Sequence, residues 1–163
     1  MDAKNIIIRK FKSMDSLELC AIIKRNLVEV NSKDYPYDII NSMCNLYTPN
    51  YIIKMAKERD IYVAELNGNI IGTASLDKNI ICTVFVNIDY HRHGVGRKLI
   101  SFIEGKANEN LVNTIQIHSS LTSQNFYYAL GYRYVKQVEV PDLGRSIIVE
   151  KQLNTSKSKQ KDV

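Results

Sequence analysis

Residues 80–100 constrain this chain more than any other stretch. Ile80, Ile81, Cys82, Thr83, Val84, Phe85 and Val86 form a short run rich in β-branched residues. That composition favours a buried strand. A polar turn over 87–93 follows, then Gly94-Val95-Gly96. The next residues are amphipathic, with Val95, Leu99, Phe102 and Ile103 on one helical face. Strand, glycine loop and helix in this order aim backbone N–H groups and the positive end of a helix dipole at an anion. The expected ligand is a phosphate-bearing cofactor.

The remaining chain supplies a sheet and its covering helices. A strand is expected over 5–11. Asp15 followed by Glu18 has the spacing of a capping box. The helix it opens is expected to turn Leu17, Cys20 or Ala21, Leu27 and Val28 toward the core and to fade near Val30. A loop follows, because Pro36 pushes Tyr35 out of helical conformation. A short helix is expected over 37–45. Thr48 and Pro49 then provide an N-cap and a first-turn proline for another helix, 49–59. The period changes at 61–66, a strand that turns at Asn67-Gly68-Asn69 into a second over 70–76. Beyond the glycine loop the expected elements are a helix over 95–109, a strand over 111–118 and a helix over 122–130 ended by Gly131. Strands over 132–140 and 146–153 complete the set. The fold class is α/β, a mixed and mostly antiparallel sheet. Its one parallel pair belongs to a right-handed βαβ unit, and helices lie on both faces.

At 163 residues the chain has the size of one domain, with 45% apolar residues, enough for one core. A single domain is expected over 1–153, with a disordered polar tail over 154–163. The net charge is +5, but those last ten residues hold three lysines and one aspartate. Without them the charge is +3, which removes most of the case for a nucleic-acid partner and still favours an anionic cofactor. Cys20, Cys44 and Cys82 are odd in number and widely spaced, a pattern that fits a reduced intracellular protein. Residues 1–12 hold only a three-residue apolar run, so no secretory signal is read there. No stretch approaches the ~20 apolar residues that cross a bilayer. The expectation is a soluble cytoplasmic protein.

The loop His91-Arg92-His93-Gly94-Val95-Gly96 is not a P-loop, for it lacks the terminal Gly-Lys-Ser/Thr. Nor is it a dinucleotide fingerprint, since Leu99 stands where the third glycine belongs. His91 and His93 have no partners in a metal-ligand pattern, so no metal is expected. The loop and the order of elements resemble the GNAT superfamily of acyl-CoA-dependent N-acetyltransferases. That family's pyrophosphate motif is Gln or Arg, any two residues, Gly, any residue, then Gly or Ala. Here His91 takes the first position. A second match is Gln124-Asn125-Phe126-Tyr127-Tyr128-Ala129-Leu130-Gly131-Tyr132, which looks like the family's later helix. Ile7-Ile8-Arg9-Lys10-Phe11 looks like its first strand.

The resemblance implies acetyl transfer from acetyl-CoA to a primary amine of a small molecule or peptide. It implies that the backbone of Val84, Phe85 and Val86 holds the pantetheine arm and thioester. His91, Arg92, His93, Gly94, Val95, Gly96 and Arg97 would hold the pyrophosphate. Ser120 stands where the family often has a cofactor-binding asparagine. Tyr127 is the implied general acid, a phenol protonated at neutral pH. Cys82 and Thr83 occupy the region where some members carry a glutamate base. His118, Glu65 and water remain options for the base. Tyr35 and Tyr37 lie where the family shapes its acceptor pocket, and His118 is grouped with them. A homodimer is compatible with the family. Two other readings use the same fold: a non-catalytic acyl-CoA-binding or sensing module, and a toxin that acetylates aminoacyl-tRNA.

Overall fold

A computed structural model describes residues 5–141 and 143–153; the expected tail over 154–163 lies outside them. The elements follow the expected order. They are β1 (Ile7–Lys10), α1 (Ser16–Glu29), α2 (Tyr37–Leu46), α3 (Pro49–Glu58), β2 (Asp60–Leu66), β3 (Asn69–Asp77) and β4 (Ile80–Val86). After these come α4 (Val95–Glu109), β5 (Thr114–Ser120), α5 (Gln124–Ala129), β6 (Arg133–Val140) and β7 (Gly144–Gln152). The strands form one sheet in the order β1-β2-β3-β4-β5-β7-β6. All neighbours are antiparallel except β4 and β5.

Alternation along the strands divides the core between two faces. Tyr62, Ala64 and Leu66 of β2 pack with Val95, Leu99 and Ile103 of α4 and with Tyr127 of α5. Ile61 and Val63 point the other way, into a cluster with α1, α2 and α3. Thr48 caps α3 as expected, accepting the Tyr51 N–H at 3.2 Å with Pro49 in the first turn.

Three expectations fail locally. Leu17 and Val28 are exposed, while α1 buries Leu19, Cys20, Ile22, Ile23 and Leu27. The run Leu19-Cys20 and Ile22-Ile23 offers a wider apolar stripe than the one expected, and the helix rotates to bury it. Asp15 and Glu18 do not form a capping box. Asp15 accepts from the Lys12 N–H at 2.7 Å and takes a two-bond grip from Arg9, while Glu18 accepts the Ile70 N–H of β3. Both carboxylates are used in tertiary contacts. The fifth strand starts at Thr114 instead of Leu111. Leu111 closes α4 with φ +60°, donating to Asn108, and Val112 donates back to Ala107. That is a Schellman turn with leucine in the left-handed seat usually held by glycine, so an apolar residue there mimics a strand start.

Candidate active site

The parallel pair is short. Ile80 faces Gln116 and Ile81 faces Ile117, and beyond them β4 and β5 are unpaired. A bulge in β4 accompanies the parting. Register with β3 slips between Thr73 and Ser75, and Thr83 takes φ +52°. Ser75 secures the bulge: its hydroxyl donates to the Cys82 carbonyl at 3.0 Å and lies 2.7 Å from the Thr83 hydroxyl. The extra residue inverts the alternation. Ile81 packs on the α4 face before the bulge, and Val84 and Val86 do so after it.

The bulge and the parting of the strands expose backbone. Asn87 N–H donates to Ile71 at 2.8 Å, which makes Gly72 and Val86 a non-hydrogen-bonded pair. The N–H and C=O of Val86 therefore point away from β3, into the gap. The carbonyl accepts twice, from the Asn26 amide at 2.8 Å and from His91 Nε2 at 2.9 Å. Asn26 is a buried residue of α1, and its place in the site had no motif to announce it. His91 thus ties the glycine loop to the end of β4.

The gap opens into a cavity of about 880 Å³. Val84, Phe85, Val86, His91, Arg92, Gly94, Val95, Gly96, Arg97, Ser120, Tyr127, Tyr35 and His118 all line it. His93 and Tyr37 do not. The His93 ring donates to the His91 carbonyl at 2.8 Å, and Tyr37 is exposed. Tyr35 is a buried clasp: its hydroxyl donates to Arg145 and accepts the Leu121 N–H. Glu65 does not line the cavity; it pairs with Arg9 at 2.7 Å. Sequence reasoning also missed Tyr47, Tyr51 and Arg59, which line the wall nearest α2 and α3. Among the described residues no carboxylate lines this cavity, while Arg59, Arg92 and Arg97 do.

The glycine loop meets its backbone requirement at Gly94, the N-cap of α4, with φ +80°. Only Lys98 N–H returns to the Gly94 carbonyl, so the N–H groups of the first turn are unused within the helix. Gly96 is needed for contact: a Cβ there would stand 3.1 Å from the Phe126 ring. The loop and α5 are therefore packed directly together.

Tyr127 is fixed by the end of α5. Gly131 adopts φ +89° and donates to Tyr128, and Tyr132 donates back to Tyr127. This Schellman turn brings the Tyr132 ring to 6.0 Å from that of Tyr127, edge to face. The motif's tyrosine, glycine and final tyrosine thus have one joint structural purpose. Burial, aided by nearby Cys82, pushes the Tyr127 phenol well above its ordinary value. Its hydroxyl has no hydrogen-bond partner among the described residues. Thr122 Oγ1 is buried, unpartnered and on the cavity wall.

His118 stands on β5 opposite the core-facing Ile115 and Ile117. Partial burial lowers its pKa from the usual 6.5. Burial pushes the Cys82 thiol up and the Tyr47 phenol up to about 12.

Comparison with known proteins decides the family. Residues 38–144 match the family described as acetyltransferase (GNAT) domain. This chain belongs to the GNAT acetyltransferases. It is 28% identical over 136 residues to an uncharacterised N-acetyltransferase, YafP, of Escherichia coli, covering 83% of this chain and 87% of YafP. A GCN5-related N-acetyltransferase from Rhodopseudomonas palustris has the same fold, with a TM-score of 0.86 at 20% identity, covering 94% of this chain and 99% of that one. The PaiA N-acetyltransferase from Thermoplasma acidophilum, solved with coenzyme A, gives 0.74 at 17% identity over 90% of this chain and 98% of its own. The chain is accordingly an acetyl-CoA-dependent N-acetyltransferase, with acetyl-CoA as co-substrate. Among the described residues no group of His, Cys, Asp and Glu is placed to hold a metal, and no helix is long and apolar enough to cross a membrane.

Proposed function

We propose that the GNAT domain transfers acetyl to a primary amine by direct attack in the gap between β4 and β5. The observation that carries this is the parted strand pair, with Val86 backbone aimed into a cavity also lined by Tyr127 and the glycine loop. The orphaned Thr122 hydroxyl, the gap-facing backbone and the open first turn of α4 suit an extended ligand with amides in its arm and an anion at its end. Arg92 and Arg97 add charge at that end. Acetyl-CoA supplies a thioester whose carbonyl carbon forms the new C–N bond as its C–S bond breaks.

The residues then divide the work. The Val86 N–H meets the charge that develops on the carbonyl oxygen. Tyr127 gives its phenolic proton to the departing sulfur. The phenol is protonated at neutral pH, and its hydroxyl has no competing partner among the described residues. The amine must lose a proton. His118 is the wall residue suited to accept it, directly or through water. Its lowered pKa leaves it neutral at pH 7, and among the described residues no carboxylate lines the cavity to take that role. The Cys82 thiol and Tyr47 phenol are both pushed up, so neither is ionised at that pH.

Steady-state kinetics of Tyr127→Phe with coenzyme A binding measured in parallel test the proposal. The variant should lose turnover and keep cofactor affinity. Equal turnover in variant and wild type would remove Tyr127 from the chemistry.

A further inference from the structure

Arg59 is the cavity's unexplained charge. It follows the last turn of α3 and is half-buried on the cavity wall. Its neighbours are sulfur atoms: its guanidinium donates to the Met55 thioether, and it lies close enough to Cys82 to pull that thiol's pKa down against burial. Both are weak acceptors. No carboxylate lies within ion-pair distance of it among the described residues. The chain's other partly shielded arginine, Arg9, holds both Asp15 and Glu65. A guanidinium has five N–H donors in a rigid fork, and burying one without an anion is costly.

Its position separates it from the pyrophosphate end. Arg59 is beside Cys82, in the first half of β4. Arg92 and Arg97 lie beyond Val86, whose β3 partner Gly72 is three residues from Ser75, the partner of Cys82, roughly 10 Å at strand rise. Around Arg59 the wall is aromatic. Tyr47 meets Tyr51 edge to face at 5.8 Å and Phe85 at 6.2 Å. His118, neutral at pH 7, lines the same cavity.

We infer that Arg59 is the specificity determinant of the acceptor site, and that the acceptor is an amino carboxylate whose carboxylate pairs with its guanidinium. This rests on the acetyl-transfer reading above. One guanidinium balances one carboxylate, and its fork matches two carboxylate oxygens. A phosphate dianion would leave a surplus negative charge that neutral His118 and the phenols of Tyr47 and Tyr51 do not offset. The aromatic wall then receives the carbon skeleton between amine and acid.

Matched pairs of free amino acids and their carboxamides test this, in wild type, Arg59→Gln and Arg59→Lys. Amine basicity differs within a pair, so the quantity to read is the change in the carboxylate-to-amide ratio of kcat/KM between proteins. The ratio should fall at least about tenfold in Arg59→Gln, the scale of one charge-assisted bond of about 1.4 kcal/mol or more, with partial recovery in Arg59→Lys. Coenzyme A affinity, measured by calorimetry, should stay the same in all three. An unchanged ratio, with amines still acetylated, would overturn the inference and leave the transferase reading intact. Acetylation of no amine by wild type would overturn the transferase reading itself. Calorimetry on the coenzyme A complex still judges Arg59 in that event: wild type should bind the amino acid over its amide and Arg59→Gln should not, and equal binding would overturn the inference.

Discussion

The two ends of the cavity are built on different principles. At the end proposed to hold the pyrophosphate the polar groups are mostly backbone, the first turn of α4 and the loop at Gly94, while Val86, proposed to hold the thioester oxygen, stands between the ends. At the end proposed for the acceptor they are side chains from separate segments, Tyr47, Arg59, Cys82 and His118. Backbone recognition needs glycine at fixed spacing, and it serves any ligand with the same phosphate. Side-chain recognition can be drawn from any element that reaches the cavity, and it varies with the ligand. On the proposed reading the first end is common to a family and the second particular to a protein.

Substitutions at each end should separate these properties. The largest effect is expected from Tyr127→Phe, which stands between the ends: about 10²–10⁴-fold in turnover, with coenzyme A affinity unchanged by calorimetry. Next is His118→Ala, expected to cost on the order of ten- to a hundredfold in kcat/KM at neutral pH. Its pH profile is more telling than its size. The wild-type pKa is below 6.5, so wild-type activity should fall as pH drops through that lower value and His118 takes a proton. The variant should lose that acidic limb, and an identical limb in both proteins would exclude His118 as the base.

Gly96→Val should act on the other end. The added side chain begins 3.1 Å from the Phe126 ring and must push it or the loop aside. Coenzyme A affinity should drop about tenfold, close to 1.4 kcal/mol, with little change in the acceptor preference of the remaining activity. A shifted preference would mean that the ends are coupled. The smallest effect is expected from Ser75→Ala. Its buried hydroxyl supports the bulge from which both ends diverge. Losing it should lower the urea midpoint by the equivalent of about 1 kcal/mol, and should weaken coenzyme A binding and acceptor turnover together.

The difference between the ends also explains how much could be read from the sequence. All twelve helices and strands were legible, because period, caps and turns are local. So was the glycine loop as a strand-to-helix connection, with Gly94 at φ +80° and Gly96 packed against Phe126 on one short segment. Leu111 misled because a Schellman turn ordinarily marked by glycine carries leucine. Asn26 was illegible: it reaches Val86 across sixty positions of sequence, and an asparagine inside a helix carries no signal of its partner. Arg59 was illegible for the opposite reason. An arginine at a helix end is ordinary in sequence, and it becomes informative only when the fold gives it sulfur neighbours and, among the described residues, no acid. Tyr35 and Tyr37 look alike in sequence, yet one is a buried clasp and the other is exposed.

The central claim, acetyl transfer to an amine in the β4–β5 gap, is tested most directly by free-thiol release from acetyl-CoA across a panel of amines, amino acids and peptides. The prediction is release that rises with acceptor concentration for at least one amine and falls sharply in Tyr127→Phe. Release no faster than acceptor-free hydrolysis for every compound, by protein that still binds coenzyme A, would contradict it.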